Sequence, residues 1–165
     1  MTNDSIKSLI VDLSCDDILK CQNARRSLVA LGHEAVPSLV ESLGSKKHWV
    51  RWEAAKALAQ IADPSAAQAL VDALRDKEFD VRWLAAEGLI KIGHRVLRPL
   101  LMALIEHSDS IWLRQGAHHV LHDMDKGNIG EIIRLLLPAL SDTEPSEFIP
   151  VLAKKTFDTL SAEDI

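Results

Sequence analysis

The chain has 165 residues, 47% of them hydrophobic and 26% charged, which excludes a disordered polyampholyte and allows a substantial core. A formal net charge of −5 argues against general phosphate-backbone binding and gives no reason for attraction to anionic membranes. Seven glycines and six prolines are too few for a turn-rich sandwich, and alanine and leucine dominate the middle, which favours helix.

The N-terminal stretch MTNDSIKSLIVDL is too polar and acidic for a secretory signal, and no apolar run of about 18 residues occurs, so a cytoplasmic protein is expected. Asp4 or Ser5 caps a short helix through Leu13, whose Ile6, Leu9, Ile10 and Leu13 share a helical face. Ser14 and Asp17 fit a capping pattern for a second helix that runs to Leu31 and stops at Gly32. Cys15 and Cys21 then fall on one helical region about 240° apart, as reduced thiols pointing in different directions.

Ala35–Leu43 is the next helix, with Pro37 in its first turn, where a missing N–H matters little. A polar turn leads to Val50–Ile61, VRWEAAKALAQI. That stretch returns as VRWLAAEGLIKI at Val81–Ile92, and more faintly at Leu113–Met124 and Ile149–Leu160. Short helices at about Asp63–Leu74, Val96–Ile105 and Glu131–Leu140 precede these copies, and breaks are expected at Asp125–Gly127 and Ser141–Ser146. Ala24, Ala54, Ala85, Ala117 and Ala153 occupy equivalent positions, at spacings of 30, 31, 32 and 36 residues. No strand pattern is present. Self-similarity at this period marks a helical repeat array, because one helix pair cannot bury its apolar faces alone. The expected fold is all-α: a right-handed α-solenoid of about five antiparallel helix pairs in a single domain over residues 1–165. Residues 4–32 form an irregular N-terminal cap, 33–125 the regular repeats and 126–160 an irregular C-terminal cap.

The segment AVPSLVESL, a polar turn and VRWEAAKALAQI together resemble HEAT-like repeats of the kind named for phycobilin lyases. The resemblance is strongest over Ala24–Met124. It implies that the arginine after each core Val or Leu (Arg51, Arg82, Arg114) pairs with an acid in the preceding turn. Asp76 fits this for Arg82, and Glu106 or Asp109 for Arg114, whereas the turn before Arg51 has no acid.

At 100° per residue, Val50, Ala54, Leu58 and Ile61 lie within about 80° of one another, and Trp52, Glu53, Lys56 and Gln60 lie opposite, at about 200–300°. The resemblance implies that this outward side lines a concave groove. The equivalent positions are Trp83, Leu84, Glu87 and Lys91 in the next repeat, and Gln115, Gly116, His119 and Asp123 in the one after. Trp49, Phe79 and Trp112 sit at the groove edge, and Trp49 and Trp112 could equally be filler between repeats. The predicted partner-binding residues are therefore Trp49, Trp52, Glu53, Lys56, Phe79, Trp83, Leu84, Glu87, Trp112, Gln115 and His119. Aromatic residues gathered on a surface suggest a binding site, and tryptophan is enriched in interface hot spots. Arg26, Lys56, Lys91 and Lys155 balance Glu53, Asp80, Glu87 and Asp123, which suits a protein or peptide better than nucleic acid.

Catalytic relatives of this architecture set tests. The resemblance to a HEAT-type di-iron hydroxylase would need His-Glu pairs where Trp52–Glu53, Trp83–Leu84 and Gln115–Gly116 stand, and only Glu53 remains. HEAT-like DNA glycosylases need a basic concave surface that is missing here. His118 and His122 have the i, i+4 spacing of a metal pair, with Asp123 and Asp125 near, yet His118 occupies an inter-repeat packing position and a third ligand is not evident. The expectation is a non-catalytic binding scaffold or adaptor without metal or cofactor. The alternative is a chromophore-lyase-like or chaperone subunit resembling the phycobilin lyases.

Overall fold

The structure is a computed structural model, and it describes residues 3–125, 131–141 and 147–160. Among these it contains ten α-helices: α1 (Asn3–Asp12), α2 (Ile18–Leu31), α3 (Val36–Ser42), α4 (His48–Ile61), α5 (Ala67–Ala73), α6 (Phe79–Ile92), α7 (Leu97–Glu106), α8 (Ile111–Asp125), α9 (Glu131–Ser141) and α10 (Phe148–Thr159). One-turn 3₁₀ segments at Gly32–Ala35, Pro64–Ala66 and Gly93–Val96 lead into α3, α5 and α7. The expected breaks at Asp125–Gly127 and Ser141–Ser146 fall largely outside the described residues, as does the tail after Leu160.

The architecture is an α-solenoid. Helices α2, α4, α6 and α8 pack side by side in one row, and α1, α3, α5 and α7 form a second. A continuous core runs between the rows, with Leu28, Leu39, Leu58, Leu70, Leu89, Leu100, Leu104 and Leu121 wholly buried. The closest association is α4 on α6, where small side chains face each other. A Cβ added to Gly88 would meet Ala59 Cα at 3.2 Å and Leu70 Cδ1 at 3.0 Å, so the helices approach as near as a glycine allows.

The last pair departs from the repeat. Ala153, Phe157 and Leu160 align in sequence with Ala117, Leu121 and Met124, which would place α10 beside α8. Instead α9 packs on α8, and α10 packs on α7 and α9. The two helices exchange rows. Ile133, Leu136 and Leu140 give α9 a strongly apolar face, and Ala153 lets α10 lie close, with Phe157 under the Arg98 guanidinium of α7 at 5.1 Å. Lys155 therefore does not continue the outward side of α4, α6 and α8.

A second correction concerns α2. It begins at Ile18, and its cap is Asp17, whose Oδ1 accepts hydrogen bonds from the Leu19 and Lys20 N–H groups at 2.9 and 3.2 Å. Ser14 instead turns back to the end of α1, its Oγ donating to the Val11 carbonyl at 2.8 Å, and the Asp17 carboxylate also suits the positive end of the α2 dipole. Cys15 thus lies in a turn, not on the helix.

Helices α2, α4 and α6 each end on a residue with positive φ. Gly32 and Gly93 close α2 and α6 with φ of 59° and 78°, and Ala62 closes α4 with φ of 53°. Ala62 is in the left-handed helical region, which disfavours any residue with a Cβ by about 1 kcal/mol.

Each repeat arginine ties down its own turn. Arg51 Nη1 donates to the carbonyls of Ser45 and Lys46, Arg82 Nη1 to those of Asp76 and Lys77, and Arg114 Nη1 to those of Ser108 and Asp109. The acid partner is offset from the expected one. Asp76 receives Arg51 Nε at 2.6 Å and Nη2 at 3.0 Å on its carboxylate, across the repeat boundary, whereas Arg82 donates to the main-chain carbonyl of Asp76. The turn before Arg51 lacks an acid because the following turn supplies it. Burial pushes the Asp76 carboxyl up, but the Arg51 guanidinium and the Glu78 N–H outweigh it and hold it below the usual carboxylate range. Arg51 is raised in turn, chiefly by Asp76.

Two outcomes are expected. Ala62→Gly raises stability by about 0.5–1 kcal/mol in urea unfolding, because the αL strain disappears. Asp76→Asn lowers stability at pH 7 by about 3 kcal/mol, because a buried cation loses its partner. Asp76 is depressed in the folded state, so its contribution is present above pH about 4 and fades as the carboxyl protonates below it. The gap between wild type and Asp76→Asn in chemical denaturation should therefore narrow below pH about 4; a gap independent of pH would exclude the ion pair as its cause.

Candidate binding clefts

Stacking buries a helix of the row on several sides at once. In α4, residues Val50, Arg51, Glu53, Ala54, Ala55, Ala57, Leu58 and Ala59 are all buried. At 100° per residue these cover about 240° of the helix and leave about 120°, within which Trp49, Trp52, Lys56 and Gln60 form a strip about 80° wide. The same register puts Asp80, Trp83, Glu87 and Lys91 on the strip of α6, and Trp112, Gln115, His119 and Asp123 on that of α8. Two hollows open along it.

The first hollow, about 400 Å³, lies between the start of α2 and α4 and is lined by Cys15, Asp16, Ile18, Cys21, Gln22, Arg25, Trp49, Trp52, Glu53 and Lys56. Trp52 is half-buried in its wall, with Lys56 Nζ 4.2 Å above the ring centre. Trp49 is 45% exposed at its edge, with Lys47 Nζ 5.6 Å from its ring. The floor is an ion pair: Arg25 Nε donates to Glu53 Oε2 at 2.6 Å, and Arg25 Nη1 to Gln60 Oε1 at 3.1 Å. Both charged side chains are about nine-tenths buried.

The second hollow, about 160 Å³, lies between α6 and α8, lined by Phe79, Arg82, Trp83, Ala86, Trp112, Gln115, Gly116 and His119. Trp83 stacks on His119 with ring centres 4.8 Å apart, and His119 Nε2 is 3.4 Å from Glu87 Oε1. Arg82 lies over Trp112 at 4.7 Å and over Phe79 at 5.7 Å. Gly116 lets α8 close down: a Cβ there would stand 2.8 Å from Leu74 Cδ2. Between the hollows, His48 Nε2 lies 2.8 Å from Asp80 Oδ1 and joins α4 to α6.

The structure thus divides the expected residues between two hollows. Trp49, Trp52, Glu53 and Lys56 line one, and Phe79, Trp83, Trp112, Gln115 and His119 the other. Glu87 sits beside the second through His119, and Leu84 is half-buried without lining either. Trp49 and Trp112 are 45% and 40% exposed, and Trp112 also packs under Arg82 of the neighbouring repeat. Glu53, expected on the outward side among the partner-binding residues, is a buried ion-pair partner, because at about 300° it faces α2 rather than solvent. A larger hollow of about 650 Å³ on the side of α1 and α3 has no aromatic lining. Arg25 and Cys15 were not signalled by the repeat pattern; a basic residue at the Ala55-equivalent position 25 was the available clue.

His118 and His122 stack with ring centres 5.8 Å apart, and burial, then the neighbouring His122, holds His118 below the ordinary histidine range. Among the described residues, no three His, Cys, Asp or Glu side chains stand close enough to share a metal ion.

The sequence profile described as HEAT repeats matches residues 6–90, just over half of the chain. The chain belongs to the HEAT-repeat family. No curated protein matches its sequence. Among solved structures, it is similar to the complex of CpcE and CpcF of phycocyanin lyase from Nostoc sp. PCC7120, with 23% identity and a TM-score of 0.62 over 94% of this chain and 99% of that one. An engineered protein matches at 21% identity and a TM-score of 0.49, over 94% of this chain and 78% of that one. At such identities the likeness concerns the HEAT-repeat fold alone. The buried Arg25–Glu53 pair can be tested. Glu53→Ala should cost about 3–5 kcal/mol in urea unfolding by stranding Arg25, and pairing it with Arg25→Met should recover most of the loss. A Glu53→Ala variant as stable as wild type would return Glu53 to a surface role.

Proposed function

We propose that this HEAT-repeat chain is a non-catalytic adaptor that seats a segment of a partner protein along the strip of α4, α6 and α8. The observation that carries the reading is the pair of aromatic hollows in repeat register, with Trp83 and Phe79 47% and 67% exposed. Large aromatics spaced along a helical array suit an extended peptide whose apolar side chains enter successive hollows. Trp52 and Trp83 are the anchors of the reading, with Lys56, Glu87 and Gln115 at their margins. Several ionisable groups on and beside the strip are paired, as in His48–Asp80, His119–Glu87 and Arg25–Glu53, which favours recognition over acid–base chemistry. The cations lie over rings or in pairs rather than in a basic track, which disfavours nucleic acid. No described helix is long and apolar enough to cross a membrane, and the reading assigns the adaptor to the cytoplasm.

A second reading follows from the phycocyanin lyase complex, whose chain is covered over 99% of its length. On it, this chain is one subunit of a lyase-like or chaperone pair, and a flat tetrapyrrole or its carrier protein meets the tryptophans.

A single comparison separates the readings. Trp52→Ala and Trp83→Ala should each weaken capture of the protein partner by more than about 1 kcal/mol, roughly fivefold in Kd, with urea unfolding nearly unchanged. Partner capture unaffected in both variants overturns the adaptor reading. A shift in bilin absorbance with quenched tryptophan emission in the wild type, lost in the variants, supports the second.

A further inference from the structure

Cys15 and Cys21 line the first hollow, but the binding reading gives their thiols no role. Cys15 stands in the turn between α1 and α2, and Cys21 faces it from the first turn of α2. Their Sγ atoms are 3.3 Å apart. Cys21 Sγ lies 3.0 Å from the Cys15 carbonyl oxygen and Cys15 Sγ 3.4 Å from that of Asp17, so both thiols can donate within the same small knot of chain. A disulfide has an S–S bond of about 2.05 Å, so closure needs an approach of a little more than about 1 Å, which side-chain rotation and a short turn can supply. Both residues also line the first hollow, which gives a small reagent a route to them.

We propose that Cys15 and Cys21 form a dithiol site that takes two-electron oxidants of the hydroperoxide class and closes to an internal disulfide. The Cys15 thiolate attacks the terminal oxygen of the hydroperoxide. The O–O bond breaks, the alkoxide leaves and takes a proton, and Cys15 becomes a sulfenic acid. Cys21 Sγ then attacks the Cys15 sulfur, the S–O bond breaks, and hydroxide departs as water with the proton of Cys21. Two thiols lose two electrons, and the hydroperoxide is reduced to an alcohol and water. Cys15 acts first because it is half-exposed, whereas Cys21 is buried. Burial, and then the contact with Cys15, pushes the Cys21 thiol up to about 11. Cys21 therefore stays protonated near neutrality, and as the second nucleophile it makes closure faster as pH rises.

The experiment needs no knowledge of what the hollow binds, so its failure leaves the adaptor reading untouched. The full chain is treated with hydrogen peroxide and followed by intact mass under non-reducing conditions. A monomer that loses two hydrogens, has no thiol left to alkylate and is restored by dithiothreitol is expected. Cys21→Ser should halt at a sulfenic acid that dimedone traps on Cys15. In Cys15→Ser, the remaining thiol should oxidise at least tenfold more slowly than the pair. Only disulfide-linked dimers, two thiols still fully alkylatable after peroxide, or Cys15→Ser oxidising at the wild-type rate would each overturn the proposal. Circular dichroism of both serine variants confirms that the fold is retained.

Discussion

The closeness of α4 to α6 is the constraint on which the rest of the structure depends. A pair of short helices cannot bury its own apolar faces, so each repeat is stable only against its neighbours. Close stacking requires small residues where helices meet, and Ala54, Ala55, Ala57, Ala59, Ala85, Ala86 and Gly88 supply them. The same stacking buries most of each helix's circumference. What remains is narrow, and any large side chain on it is held at the surface in a register set by the repeat. The aromatic hollows are a consequence of the packing that makes the solenoid, not an addition to it.

Polar groups inside the stack follow the same logic. The repeat arginines are fixed by carbonyls five and six residues before them, which satisfies turn acceptors that a tight stack would otherwise leave unpaired. Where an acid is available at the boundary, as Asp76 is for Arg51, the clamp also crosses between repeats. At the N-terminal end Arg25–Glu53 performs that bridging in place of small residues, and the space it leaves becomes the first hollow.

Much of this was legible in the sequence because it is periodic. The recurrence of Val-Arg-Trp and the evenly spaced alanines give the helix pairs, their order and the outward side, and Gly32 and Gly93 mark two helix ends. What was not legible depends on relations between turns and neighbours. Helical periodicity carries no information on which acid reaches Arg51, and the nearest in sequence is not the nearest in space. Glu53 looks outward on a single-helix wheel, and only the presence of α2 buries it. A helix starting at Ser14 would set the two cysteines about 240° apart; the start at Ile18 leaves Cys15 in the turn and brings the sulfurs to 3.3 Å. The alignment of Ala153 with Ala117 matched residue types, while α9 and α10 packed according to which apolar face each neighbour offered.

The tryptophans are not bare. Lys47 lies over Trp49, Lys56 over Trp52, Arg82 over Trp112, and the His119 ring over Trp83. The three cation–ring contacts are worth about 0.5–1 kcal/mol each at exposed positions. On the proposed reading, a partner that takes a ring face must displace the group already on it or stack beyond it. Lys56 is the easiest to displace, since its long stem can swing into solvent with the charge hydrated. Arg82 is the hardest, because Nη1 is also fixed by two carbonyls. The first hollow can therefore open its ring face to an incoming side chain, whereas the second keeps a fixed guanidinium among its rings. The two would accept different side chains of one segment, and this difference gives the strip a direction in which a partner can be read.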